Sequence, residues 1–107
     1  MITCDAPNLL RDWFEGQQQI LHDRNTDAKI RLPSEQEDLN KAIVTLETKS
    51  HVASITLWGS GMLEFIVLDI AAQNEVVVAD QELNTLEGIR EELNKSLAEF
   101  LRITSAF

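Results

Sequence analysis

The sequence predicts an α+β fold, a four-stranded antiparallel meander with an N-terminal and a C-terminal helix packed on one face. Three observations predict it. Apolar residues recur at three- and four-residue spacing near both ends of the chain; the spacing drops to two, with β-branched residues concentrated, in the middle. The connectors between the central segments (Lys49 to His51, Gly59 to Gly61, Ala71 to Asn74) are short, and connections of that length join only antiparallel neighbours.

The first helix is expected over Ala6 to His22, capped by Asp5 and tolerating Pro7 in its first turn, with Leu10, Trp13, Phe14, Gln17, Ile20 and Leu21 on one buried stripe. Trp13 reads as core. Residues Asp23 to Asn40 are polar and read as a loop, with a short helical turn after Ser34, where Glu37 completes a capping box. Strands follow at Ala42 to Thr48, Val52 to Trp58, Met62 to Ile70 and Glu75 to Ala79. The last helix is capped by Asn84, with Glu87 as the box partner, and carries Leu86, Ile89, Leu93, Leu97, Phe100 and Leu101 as one apolar stripe.

A length of 107 residues with 44% hydrophobic and 25% charged side chains predicts one domain, 1–107, with an ordinary packed core. The apolar runs are far shorter than the roughly 20 residues that span a bilayer, and no basic segment followed by an apolar run marks a signal peptide. One cysteine, Cys4, beside a terminus expected to fray, can form no internal disulfide. A cytoplasmic protein is expected.

Charge is the most distinctive bulk property, with 18 acids against 9 bases and a net charge of −9. The segment from Met62 to Glu92 holds eight acids (Glu64, Asp69, Glu75, Asp80, Glu82, Glu87, Glu91, Glu92) and only Arg90, a local charge of −7. Such a surface repels nucleic acid and attracts a basic protein; it also serves simply to keep a small protein soluble.

Chemistry is sparse. His22 and His51 fall in different elements with no neighbouring ligand spacing, so no metal site is expected. Gly59-Ser60-Gly61 lacks the spacing and the following helix of a phosphate loop and reads as a hairpin turn. Glu91 and Glu92 are adjacent on a helix and diverge. Cys4 has no base beside it. No catalytic residue and no cofactor is therefore assigned, and the chain is expected not to be an enzyme.

With both helices on one face, the other face of the sheet is left open. Alternation places Ala53, Ile55, Leu57, Leu63, Phe65 and Val67 toward the helices and Trp58, Glu64, Ile66 and Leu68 away from them. An apolar patch with acids at its rim reads as a docking surface, although the Asp23 to Asn40 segment could equally cover it. The candidate partner-binding residues are Trp58, Glu64, Ile66, Asp69 and Glu75.

The run Ile55-Thr56-Leu57-Trp58-Gly59-Ser60-Gly61-Met62-Leu63-Glu64-Phe65-Ile66-Val67-Leu68-Asp69, with the acidic strand and helix after it, resembles the TriTu-type immunity proteins of bacterial polymorphic toxin systems. The resemblance spans residues 9 to 101, and Trp58, Gly61 and Asp69 are the matched positions. It implies a protein encoded beside an Rhs-type toxin, associated with type VI secretion. Such a protein binds and obstructs the toxin's ADP-ribosyltransferase domain, whose target is elongation factor Tu. The residues leave two other classes open: a type III or type VI secretion chaperone or adaptor binding an effector segment, and a small enzyme in which His22 or His51 converges with acids.

Overall fold

A computed structural model describes residues 4–33 and 40–105. It has an α+β architecture in which an antiparallel sheet is flanked by helices from both ends of the chain. The elements are α1 (Ala6–Gly16), α2 (Gln18–Asp23), β1 (Asp27–Arg31), β2 (Lys41–Glu47), β3 (His51–Trp58), β4 (Met62–Asp69), β5 (Asn74–Glu82) and α3 (Leu86–Thr104). The sheet has five strands in sequential order, each antiparallel to the next, where four were expected.

The extra strand is β1, inside the segment read as a loop. Its five residues do alternate, with Ala28 and Ile30 half-buried against the core and Asp27, Lys29 and Arg31 exposed. Two apolar side chains among three charges give too faint a period-2 signal. What makes the strand is the full ladder to β2, from Asp27 opposite Glu47 to Arg31 opposite Ile43. The helical turn expected after Ser34 lies outside the described residues.

The first helix is broken. Asp5 caps it as expected, accepting from the Asn8 amide at 3.2 Å, but α1 stops at Gly16 and α2 resumes after Gln17. Glycine is a weak helix former, and the break lets Leu21 turn into the core while Ile20 is left exposed. Helix α3 starts one residue later than expected, since Thr85 is its cap, with Oγ1 accepting from the Gly88 amide at 2.9 Å. Threonine here adopts the extended backbone a cap needs, so the Asn84–Glu87 box does not form.

Ala42, Val44 and Leu46, Ala53, Ile55 and Leu57, and Leu63, Phe65 and Val67 alternate onto the helix side of β2, β3 and β4. Leu10 and Phe14 of α1 and Ile89, Leu93, Leu97 and Phe100 of α3 close over them. Helix α1 packs on β2 and β3, while α3 crosses β3 and β4 and stops short of β5. Trp13 is half-buried where the helices meet, and its Nε1–H donates to Asn94 Oδ1 at 2.9 Å.

The β3–β4 hairpin is anchored from two sides. Gly61, at φ 91°, takes a backbone conformation that favours glycine. Gly59 is needed for space: a Cβ there would lie 1.9 Å from Asn40 Nδ2. Asn40 Oδ1 in turn accepts the Ala6 amide at 2.8 Å, and the Cys4 amide donates to the Gly59 carbonyl at 2.8 Å. Cys4 is thus held against the hairpin and is 6% exposed, where a frayed neighbourhood was expected.

Candidate functional site

The face of the sheet away from the helices is set by strand parity. The pairing registers build three cross-strand rows on it: Arg31, Ile43, Thr56, Glu64 and Asp80; Lys29, Thr45, Ser54, Ile66 and Val78; Asp27, Glu47, Val52, Leu68 and Glu75. Trp58 lies at one end beside Lys41, whose Nζ sits 5.4 Å from the indole centroid. That is cation–π distance, and it fixes the orientation of a half-buried aromatic.

The middle of this face is apolar or hydroxylic and its flanks carry opposite charge. Lys29, Arg31 and Lys41 lie toward β1 and β2, together with Asp27 and Glu47 at one end. Glu64, Glu75, Asp80 and Glu82 lie toward β4 and β5. Among the described residues no ion pair neutralises these four acids. On the other side of the sheet, along α3, Lys95 pairs with Glu92 and Arg102 with Glu99; the Arg102 guanidinium, hydrogen-bonded to Glu99, draws that carboxyl below its usual range.

Of the sequence-predicted residues, Trp58, Glu64 and Ile66 share the open face. Glu75 joins them through a bulge: Val67 pairs with Val77 but Leu68 pairs with Glu75, so Val76 is an extra residue and the parity of the strand is reset. Asp69 does not join them. It lies on the helix side at the far end of β4, where Oδ1 accepts the Ala72 amide at 3.1 Å and Oδ2 lies 3.9 Å from His51 Nε2.

That neighbourhood bears on the enzyme reading. His51 was expected in a turn; it opens β3, is 1% exposed, and its Nδ1 is 2.7 Å from Ser50 Oγ. Serine, imidazole and carboxylate in series resemble a hydrolase relay in outline. The geometry differs in its use, because the imidazole is sealed in the protein and Ser50 is held by Thr48 Oγ1 in the β2–β3 turn. A general base needs reach to a substrate proton, which this ring lacks. The cluster staples the β2–β3 turn to the start of the β4–β5 turn.

Sequence reasoning missed a groove on the helix side of β5. Because α3 stops short of that strand, Leu63, Phe65, Val77 and Ala79 floor a depression of about 270 Å³. Glu92, Lys95 and Glu99 of α3 form its opposite wall. The signal was present in the faint apolarity of β5, whose helix-side residues are Val77, Ala79 and Gln81.

The model of the family described as immunity protein TriTu matches residues 8–103, almost the whole chain. The chain belongs to the TriTu family of immunity proteins. No curated protein matches it. Membership makes the protein an immunity protein, and the partner of an immunity protein is a cognate toxin. No helix among the described residues is long and apolar enough to cross a membrane. No cluster of three or more His, Cys, Asp or Glu among them could hold a metal ion.

Proposed function

We propose that this TriTu-family protein protects the cell that makes it by docking the open sheet face on the catalytic domain of a cognate antibacterial toxin, in the cytoplasm, and occluding the active site sterically. The observation that carries the reading is the face that none of the described helices covers: an apolar centre around Ile66, Val78 and Leu68, the last two 56% and 37% exposed, flanked by Glu64, Glu75, Asp80 and Glu82. Exposed apolar side chains rimmed by polar residues are the form a protein-interaction site takes. Trp58 supplies the aromatic anchor, the acids supply steering, and the chain itself needs no chemistry. The resemblance supports an Rhs-type ADP-ribosyltransferase acting on elongation factor Tu as the toxin.

The test is protection. The toxin domain encoded by the adjacent gene is co-expressed in a susceptible bacterium with wild-type protein, Trp58→Ala or Glu64→Lys, each variant being shown folded by circular dichroism. Loss of a buried interface tryptophan costs about 2 kcal/mol or more, roughly thirtyfold in affinity. Folded variants that bind and protect like wild type would remove this face from the reading. A wild-type protein that fails to protect would refute the toxin assignment, and capture of a secretion effector segment in its place would identify a chaperone.

A further inference from the structure

Strand β5 is the edge of the sheet, with β4 on one side and no described strand on the other. It runs for nine residues, Asn74–Glu82, and contains three consecutive valines, Val76 to Val78. An edge of that length presents a row of unpaired N–H and C=O groups, which proteins ordinarily blunt with lysine, proline or brevity. The opposite edge follows that rule: β1 has five residues, and Lys29 and Arg31 are among them. β5 has neither lysine nor proline, and its bulge lies at the Asn74 end, leaving 77–82 regular.

A second observation points the same way. The groove of about 270 Å³ between β5 and α3 takes Val77 and Ala79 of this edge strand into its floor, so a strand laid beside β5 would meet apolar side chains on its helix side. On its other side it would meet Asp80 and Glu82, neither of them ion-paired among the described residues. The two sides of an added strand alternate in sequence, so the edge specifies a pattern: apolar residues into the groove, Lys or Arg toward the acids. A second copy of this chain does not fit that pattern. Antiparallel self-pairing about Val78 would bring Glu75, Asp80 and Glu82 of both copies to one seam, on a protein already at −9.

We propose that β5 captures a β-strand of the toxin, one that alternates apolar and basic residues, and so extends the sheet across the interface. The inference rests on the immunity reading and deepens it: the added strand continues the acidic half of the open face, seats its apolar residues beside Val77 and Ala79 on the helix side, and supplies the backbone hydrogen bonds that side-chain docking alone would lack.

Hydrogen-exchange mass spectrometry of the full chain, free and bound to the adjacent gene's toxin domain, tests it. Strand addition engages alternate amides, so the 74–82 peptide should retain about four fewer deuterons in the complex. Val78→Lys, on an exposed position, and Ala79→Trp, which fills the groove, should each weaken binding at least tenfold while the circular dichroism stays native. A complex that forms with no added protection in 74–82 would overturn the strand-capture proposal and leave the immunity reading standing. Absence of any complex with wild-type protein would overturn both. A free protein already dimeric and protected in 74–82 would assign the edge to a second copy and overturn the proposal.

Discussion

Gly59→Ala should be among the most damaging single-methyl substitutions in this protein, for a reason of space. The new Cβ would stand 1.9 Å from Asn40 Nδ2 and 2.3 Å from its Cγ, against an ordinary contact near 3.5 Å. Asn40 must therefore move by more than 1 Å or so. Its Oδ1 holds the Ala6 amide at 2.8 Å, at the buried start of α1, and any such move breaks that bond. An orphaned buried donor costs about 1 to 3 kcal/mol and local overpacking a similar amount, so a loss of roughly 2 to 4 kcal/mol is expected. At this chain length that is on the order of 10 to 20 °C in Tm. Urea unfolding of wild type, Gly59→Ala, Asn40→Ala and the double variant forms a cycle. Gly59→Ala should cost much less in the Asn40→Ala background, where the obstructing amide is gone. Equal costs in both backgrounds would refute the reasoning and place the strain in the backbone.

Thr85→Ala should lower stability by about 1 kcal/mol through loss of the α3 cap, whereas Asn84→Ala should leave the urea midpoint unchanged; the opposite order would move the helix start back to Asn84. Burial first, and the neighbouring Asp5 charge second, hold the Cys4 thiol above its ordinary value of 9.0, so Cys4 should react with a thiol reagent far more slowly in native protein than in urea. Because the folded value is the higher one, the stability that Cys4 burial contributes should be fully present below about pH 9 and lost as pH rises through the folded value, which a series of urea midpoints from pH 7 to 11 would read. Association with the toxin domain should slow as salt rises past physiological strength, since the −7 segment from Met62 to Glu92 acts through a field screened over roughly 8 to 10 Å; stopped-flow on-rates independent of salt would reduce the acids to a solubility role.

Most of the framework was legible because each signal was redundant. Strands β2, β3 and β4 are rich in apolar and β-branched residues whose burial alternates along most of their length, and short connectors dictated their antiparallel order. Signals carried by one contact were not legible. β1 is created by its ladder to β2, since Ala28 and Ile30 alone do not distinguish a strand from a loop. The choice between Asn84 and Thr85 as cap turns on one backbone conformation. Cys4 and His51 looked peripheral in sequence, yet both are buried by partners far along the chain, Cys4 by the β3–β4 hairpin and His51 beside Asp69.

The candidate site divides on the same line, and its division has a physical cause. Trp58, Glu64 and Ile66 could be placed on one face because period-2 parity holds unbroken along β3 and β4. Parity alone separates Asp69 from them, since it has the odd register of Phe65 and Val67; grouping it with Trp58 and Glu64 weighed charge above register. Glu75 is the converse case. An unbroken β5 would turn it to the helix side with Val77 and Ala79, into the neighbourhood of the apolar groove. The extra residue at Val76 turns it outward instead, opposite Leu68 and in line with the face that holds Glu64, Asp80 and Glu82. One bulge thereby keeps a carboxylate out of the groove and adds it to the acidic flank, so that the two sides of β5 stay chemically distinct. A partner strand arriving at that edge meets apolar floor on one side and negative charge on the other, and a binding surface with that asymmetry selects the partner's register as well as its charge.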